Sequence, residues 1–182
     1  VQIAGYVNYG SLLDPEGKEG TSSMLATLMR SGGTKKYPSD TLNELIDLMA
    51  IKISLTSSLS QLTFNASFLS EYTEEALDII QQILFYPVFE QKKTDKEKTI
   101  FIESIRHRFD EPSPILEAAY RKAMYSGEIV GRLPTEKSVK AVSRKDLISL
   151  HKKIFTPSNM IIAIAGMFDR DSRTGRIEKL LT

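Results

Sequence analysis

The sequence predicts an α+β fold: one mostly antiparallel, mixed β-sheet with several α-helices packed mainly on one of its faces. Three observations carry this prediction. Apolar residues recur with period two in some segments and with helical spacing in longer ones. The segments follow the order β-α-α-β-β-α-α-α-α-β, with strands and helices grouped in blocks. Of the 182 residues 41% are apolar, enough for one sizeable core, so residues 1–182 are read as a single α/β domain.

Residues 1–9, rich in Val, Ile and Tyr, suit a strand and are taken as a sheet edge; a loop with Pro15 follows, from Gly10 to Gly17. Gly20 opens a short helix that Thr21 or Ser22 can cap and that Gly32-Gly33 ends. Met24, Leu25, Leu28 and Met29 form its buried stripe, leaving Ser23, Ala26, Thr27 and Arg30 on the outward side. Ser39 and Asp40 start a second helix carrying Leu42, Leu45, Ile46 and Met49. Ile53, Leu55 and Ser57, then Leu62, Phe64, Ala66 and Phe68, alternate as two antiparallel strands with one buried face. Helical spacing returns over 71–85 and stops before Pro87. A long helix spans about Lys92 to Phe109 and breaks at Asp110-Glu111-Pro112. Ser113-Pro114 begins the next, with Ile115, Ala119, Tyr120 and Ala123 expected inward. Ser143 and Asp146 form a capping-box variant for a helix with Leu147, Leu150 and Ile154 as its stripe, closed by Pro157. The run from Met160 to Gly166 is nearly all apolar, the pattern of a strand covered on both faces or central in its sheet. The chain begins on Val1 without an initiator Met, and a helical pattern over 176–181 has barely started when it ends; it is read as a piece of a longer, multi-domain chain.

Charge is balanced, 24 Lys+Arg against 23 Asp+Glu, which gives no global attraction to nucleic acid or to a membrane surface. No apolar run approaches the length needed to cross a bilayer, so no membrane insertion is expected. The absence of cysteine excludes disulfides, thiolate metal sites and a cysteine nucleophile. There is no Gly-x-x-x-x-Gly-Lys phosphate loop and no Gly-x-Ser-x-Gly elbow. The two histidines, His107 and His151, stand far apart. Glu103 and His107 are four residues apart on one helix, an incomplete metal pair and an ordinary helical ion pair.

The order of several short signals is more specific. Gly10-Ser11, Gly20, an amphipathic helix and Gly33-Thr34 come first. Pro87-Val88-Phe89, Asp110-Glu111-Pro112, Gly131-Arg132 with Thr135, and Pro157-Ser158-Asn159-Met160 leading to Ala165-Gly166 follow. Together they resemble the pitrilysin/insulinase family of zinc metallopeptidases, inverzincins of the mitochondrial-processing-peptidase type, over nearly the whole chain. In active members the helix carries His-x-x-Glu-His, two zinc-binding imidazoles on one face and a carboxylate that activates water. Laid on this sequence from Gly20, the motif falls on Ser23, Ala26 and Thr27, and all three groups are missing. The resemblance places the third, glutamate ligand at Glu103, the one retained ligand-type residue; an acid two turns earlier falls on Lys96, with Glu97 pointing elsewhere. The resemblance implies a non-catalytic zinc-peptidase-like domain with no metal or cofactor of its own. It would pair with an active homologous domain or subunit, which carries the zinc, and help form a chamber that binds unfolded peptide, with the 1–9 strand as an edge for it. Relatives that serve as structural scaffold subunits of larger complexes, with no proteolytic role, define the alternative.

Overall fold

A computed structural model describes residues 1–167; the helical pattern at 176–181 lies outside them. In chain order the elements are β1 (Gln2–Val7), α1 (Thr21–Ser31), α2 (Ser39–Leu48), β2 (Lys52–Ser57), β3 (Leu62–Ser67), α3 (Thr73–Phe85), α4 (Gln91–Arg106), α5 (Pro112–Tyr125), α6 (Glu136–Ala141), α7 (Arg144–Ile154) and β4 (Met160–Ala165). The sheet has the order β2-β3-β1-β4, and every pairing among these strands is antiparallel.

One face of the sheet meets the helices. Ile3 and Val7 of β1 lie opposite Ala66 and Leu62 of β3 and opposite Ile164 and Met160 of β4, and the β1 and β3 members of these pairs are fully buried. Gly5 sits between Phe64 and Ile162 in the same register. A β-carbon there would come within 2.5 Å of both the Phe64 ring and the Ile161 carbonyl, so glycine makes room for the aromatic ring in the core. The alternate residues Gln2, Ala4, Lys52, Ser54, Asn65, Ile161 and Ala163 are exposed on the other face.

Three expectations from periodicity need correction. The 1–9 strand is not an edge, because β1 lies between β3 and β4. Conversely β4 is neither central nor covered on both faces: among the described residues it pairs with β1 alone, and Ile161 is 57% exposed. α5 has no buried residue, and Ile115, Ala119, Tyr120 and Ala123 all face solvent. The short α6 escaped the sequence reading; it is six residues long, with Val139 its one buried apolar residue, and it is started by a Thr135–Ser138 capping box. The Ser143–Asp146 capping box of α7 forms as expected.

A turn at 87–90 sets the helices around α1. Val88 N–H donates to the Gly33 carbonyl at 3.0 Å and Glu90 N–H to the Gly32 carbonyl at 2.8 Å, joining the start of α4 to the end of α1. Arg144 of α7 clamps the same turn, its Nε and Nη2 each donating at 2.7 Å to the carbonyls of Phe89 and Val88. The Glu90 carboxylate accepts from the Ser39 N–H at the start of α2 at 2.9 Å. Held in this way, α1 packs against β2, α3, α4 and α7.

Candidate functional site

The N-terminus of α1 is not capped by its own Thr21 or Ser22. Gly20 adopts φ +100°, and the carboxylate of Asp14 reaches in from the preceding loop. It accepts from Gly20 N–H and Ser22 N–H at 2.9 Å each and from the Ser22 hydroxyl at 3.1 Å. Asp14 is only 6% exposed, and burial pushes its carboxyl up to about 6 against the pull of those three hydrogen bonds.

From this anchored start α1 presents Ser23 and Thr27, four residues apart, to α4, which presents Glu97, Ile100, Phe101 and Ser104. The spacings i, i+3, i+4 and i+7 put those α4 residues on one face. Together with Met24 these side chains line a cavity of about 210 Å³ between the two helices. Ala26 does not join Ser23 and Thr27 on a free face; it is 2% exposed and belongs to the core.

The α4 register differs from the one the resemblance implied. Glu97, expected to point elsewhere, lines the cavity, and Ser104 does so in place of its neighbour Glu103. One residue along a helix turns the side chain by about 100°. Glu103 instead joins a surface network: it accepts from Arg106 Nη1 at 2.6 Å, and Arg106 makes a two-pronged contact with Glu136 at 3.2 and 3.1 Å. With Arg106 and Lys140 beside it, Glu136 is held down at about 2. Lys96 is exposed and does not line the cavity.

Neither histidine reaches the cavity. The Glu103–His107 pair allowed by spacing does not form; His107 Nδ1 lies 2.7 Å from the Asp110 carboxylate at the surface. His151 is buried, stacked on Phe155 with ring centroids 4.8 Å apart and edge-on to Phe89 at 6.0 Å. Its Nε2 lies 2.8 Å from the Leu84 carbonyl, which fixes Nε2 as the protonated nitrogen, and burial lowers its basicity. It is a core residue.

Among the described residues, no group of three or more His, Cys, Asp or Glu side chains is placed to share a metal ion. Hydroxyl oxygens are poor donors for Zn²⁺ compared with imidazole or thiolate, and Glu97 alone supplies too little for a tetrahedral site. The cavity does not fit zinc, and it offers no imidazole pair to hold a metal-bound nucleophile.

Comparison with known proteins agrees with this architecture. The model of the insulinase family (Peptidase family M16) matches residues 1–134, and the chain belongs to that family. It is 24% identical over 182 residues to the probable mitochondrial-processing peptidase subunit beta of Arabidopsis thaliana, covering 99% of this chain and 34% of that one. It is 25% identical over 181 residues to the uncharacterized zinc protease YmxG of Bacillus subtilis (strain 168), covering 98% of this chain and 44% of that one. The crystal structure of a peptidase M16 inactive domain from Pseudomonas fluorescens shares the fold, with a TM-score of 0.89 at 14% identity over 98% of this chain and 44% of that chain. The chain therefore spans less than half the length of these relatives.

Proposed function

We propose that this chain is a non-catalytic zinc-peptidase-like domain that pairs with an active homologous domain or subunit and helps to form a peptide-binding chamber. One observation supports the proposal: the α1–α4 cavity, which includes two of the three positions that the resemblance assigns to the metal motif, is lined by the Ser23, Thr27 and Ser104 hydroxyls and one carboxylate, while Ala26 is buried in the core. One carboxylate and three hydroxyls are too few and too weak a donor set for a tetrahedral zinc site, while the packing that shapes the domain is intact. The Pseudomonas relative described as an inactive domain adds support.

The chamber role draws on the sheet edge. Among the described residues β2 pairs only with β3, so its outer edge keeps backbone donors and acceptors for an extended peptide. That edge runs beside α1, next to a cleft of about 530 Å³ that includes Arg30, Asp47, Lys52 and Ser54. β2 takes the place the sequence reading gave to residues 1–9.

The test is zinc content and partner capture on the purified protein. Wild type and a Ser23→Ala, Thr27→Ala variant should retain the same zinc after incubation with excess metal and desalting, and should capture a homologous chain bearing an intact His-x-x-Glu-His. Loss of about one zinc equivalent in the variant would overturn the proposal. Capture of an assembly without any peptidase would replace it with the scaffold role.

A further inference from the structure

Glu97 is the one ionisable group in the α1–α4 cavity, and within the described residues it has neither a hydrogen bond nor an ion pair. The basic residues nearest to it along α4 are engaged elsewhere or turned away. Lys93 pairs with Asp40 at 2.6 Å, Lys98 donates to the Val142 carbonyl at 2.5 Å, and Lys96 stands outside the cavity. The Ser23 and Thr27 hydroxyls have no partner among the described residues. Ser104 donates its proton to the Phe101 carbonyl at 2.8 Å, which leaves its oxygen as an acceptor. The remaining walls are Met24, Ile100 and Phe101. A half-buried negative charge without an internal counter-ion, three hydroxyls and apolar walls are therefore gathered in about 210 Å³.

This chemistry selects its occupant. A divalent cation needs six or more oxygens, several of them charged, and gains nothing from aromatic and aliphatic walls. An alkyl chain ending in a delocalised cation uses every component: the stem packs on Met24 and Ile100, the planar head lies against Phe101 and pairs with Glu97, and the hydroxyls take its remaining N–H groups. The space of about 210 Å³ holds one such side chain, and exposed Thr27, Ile100 and Ser104 leave it open to the rest of a peptide. Resting on the reading that peptide passes this domain, we propose that the cavity is a subsite for a single basic side chain, arginine foremost, of an extended peptide, with Glu97 as its counter-ion. The place of a metal site is taken by a cation-selective anchoring point.

Two fluorescein-labelled Gly/Ser peptides test this, identical except for one central arginine or its neutral isostere citrulline, titrated into the purified protein by anisotropy. The arginine peptide should bind about tenfold tighter or better, a preference that Glu97→Gln abolishes and Glu103→Gln leaves intact. Because Glu97 makes no bond in the fold, Glu97→Gln should unfold at the wild-type temperature. n-Butylguanidinium, followed by NMR, separates the two proposals. Glu97-dependent shifts at Thr27 and Ser104 without binding of either peptide would keep the cation site and remove the peptide chamber. Equal binding of both peptides, or discrimination that survives Glu97→Gln, would overturn the cation site and leave the chamber standing. Silence of all three probes would overturn both.

Discussion

Asp14 shows how one residue sets both the geometry and the pH response of this domain. Its carboxylate takes the free N–H groups at the start of α1, where a negative charge is favoured by the helix dipole, yet burial outweighs those bonds and raises its pKa from 3.8 to about 6. The folded state therefore holds this proton at pH values where the unfolded chain has released it. The contribution of Asp14 to stability is full below 3.8 and is lost as pH rises through about 6. Asn at this position keeps an oxygen for the cap but does not titrate. The stability difference between wild type and Asp14→Asn should fall by on the order of 3 kcal/mol from about pH 3.5 to about pH 6.5, read from urea unfolding at each pH. A difference that stays constant would mean that folding leaves this carboxyl unshifted, and one that grows with pH would mean that the three hydrogen bonds dominate and favour the ionised form. His151 acts in the opposite sense: its lowered basicity favours the neutral ring, so its contribution is lost on acidification below the ordinary imidazole range.

At the scale of elements, α1 and α4 decide what the site can do, and they differ in how far the sequence discloses them. α1 is legible because its apolar stripe and closing glycines are local, although the group that takes its first N–H groups is Asp14 from the preceding loop and not Thr21 or Ser22. Ser23 and Thr27 do face a cavity, whereas Ala26 is small enough to be drawn into the core, which spacing alone does not reveal. On α4 the helix itself is plain, but its rotation is set by contact with α1, and a shift of one residue exchanges Glu103 for Ser104. The pair Glu97 and Ser104, seven residues apart on one helical face, was the available signal. This yields a prediction that separates the two registers. Ser23→His, Ala26→Glu and Thr27→His together should bind zinc weakly, because Glu103 is tied to Arg106 outside the cavity. Adding Ser104→Glu should tighten binding about tenfold or more by supplying a carboxylate from the cavity-facing position. Zinc affinity measured with a competing chelator decides the matter. If the triple variant already binds as tightly as the quadruple one and Glu103→Gln weakens it, Glu103 is the facing ligand and the α4 register must change.

For the whole molecule, local period was enough to name the strands and most helices, because amphipathic patterns report which side of an element is buried. It could not order the sheet, since β1 finds β4 across more than 150 residues, a pairing written in no local pattern. The same gap explains α5. Its apolar residues suggested an inward stripe, but the described residues supply nothing for that stripe to pack on: Leu116 is 71% exposed, and Ile115, Tyr120 and Met124 are exposed beside it. α5 rests mainly on the turns at its own two ends, whereas α1 is surrounded by sheet and helices. A helix of 14 residues with little tertiary packing is marginal in water. In the isolated domain, α5 amides should therefore exchange with solvent about 100-fold faster than those of α1, since local opening there costs little more than the helix itself. In a paired assembly, a partner that covers Leu116 and Met124 should slow α5 and leave α1 unchanged. Exchange measured by mass spectrometry on both forms tests the two halves of the argument separately. Equal protection of α1 and α5 in the isolated domain would mean that α5 has a packing surface within this chain. Slow exchange that appears only with the partner would identify α5 as the element that pairing completes.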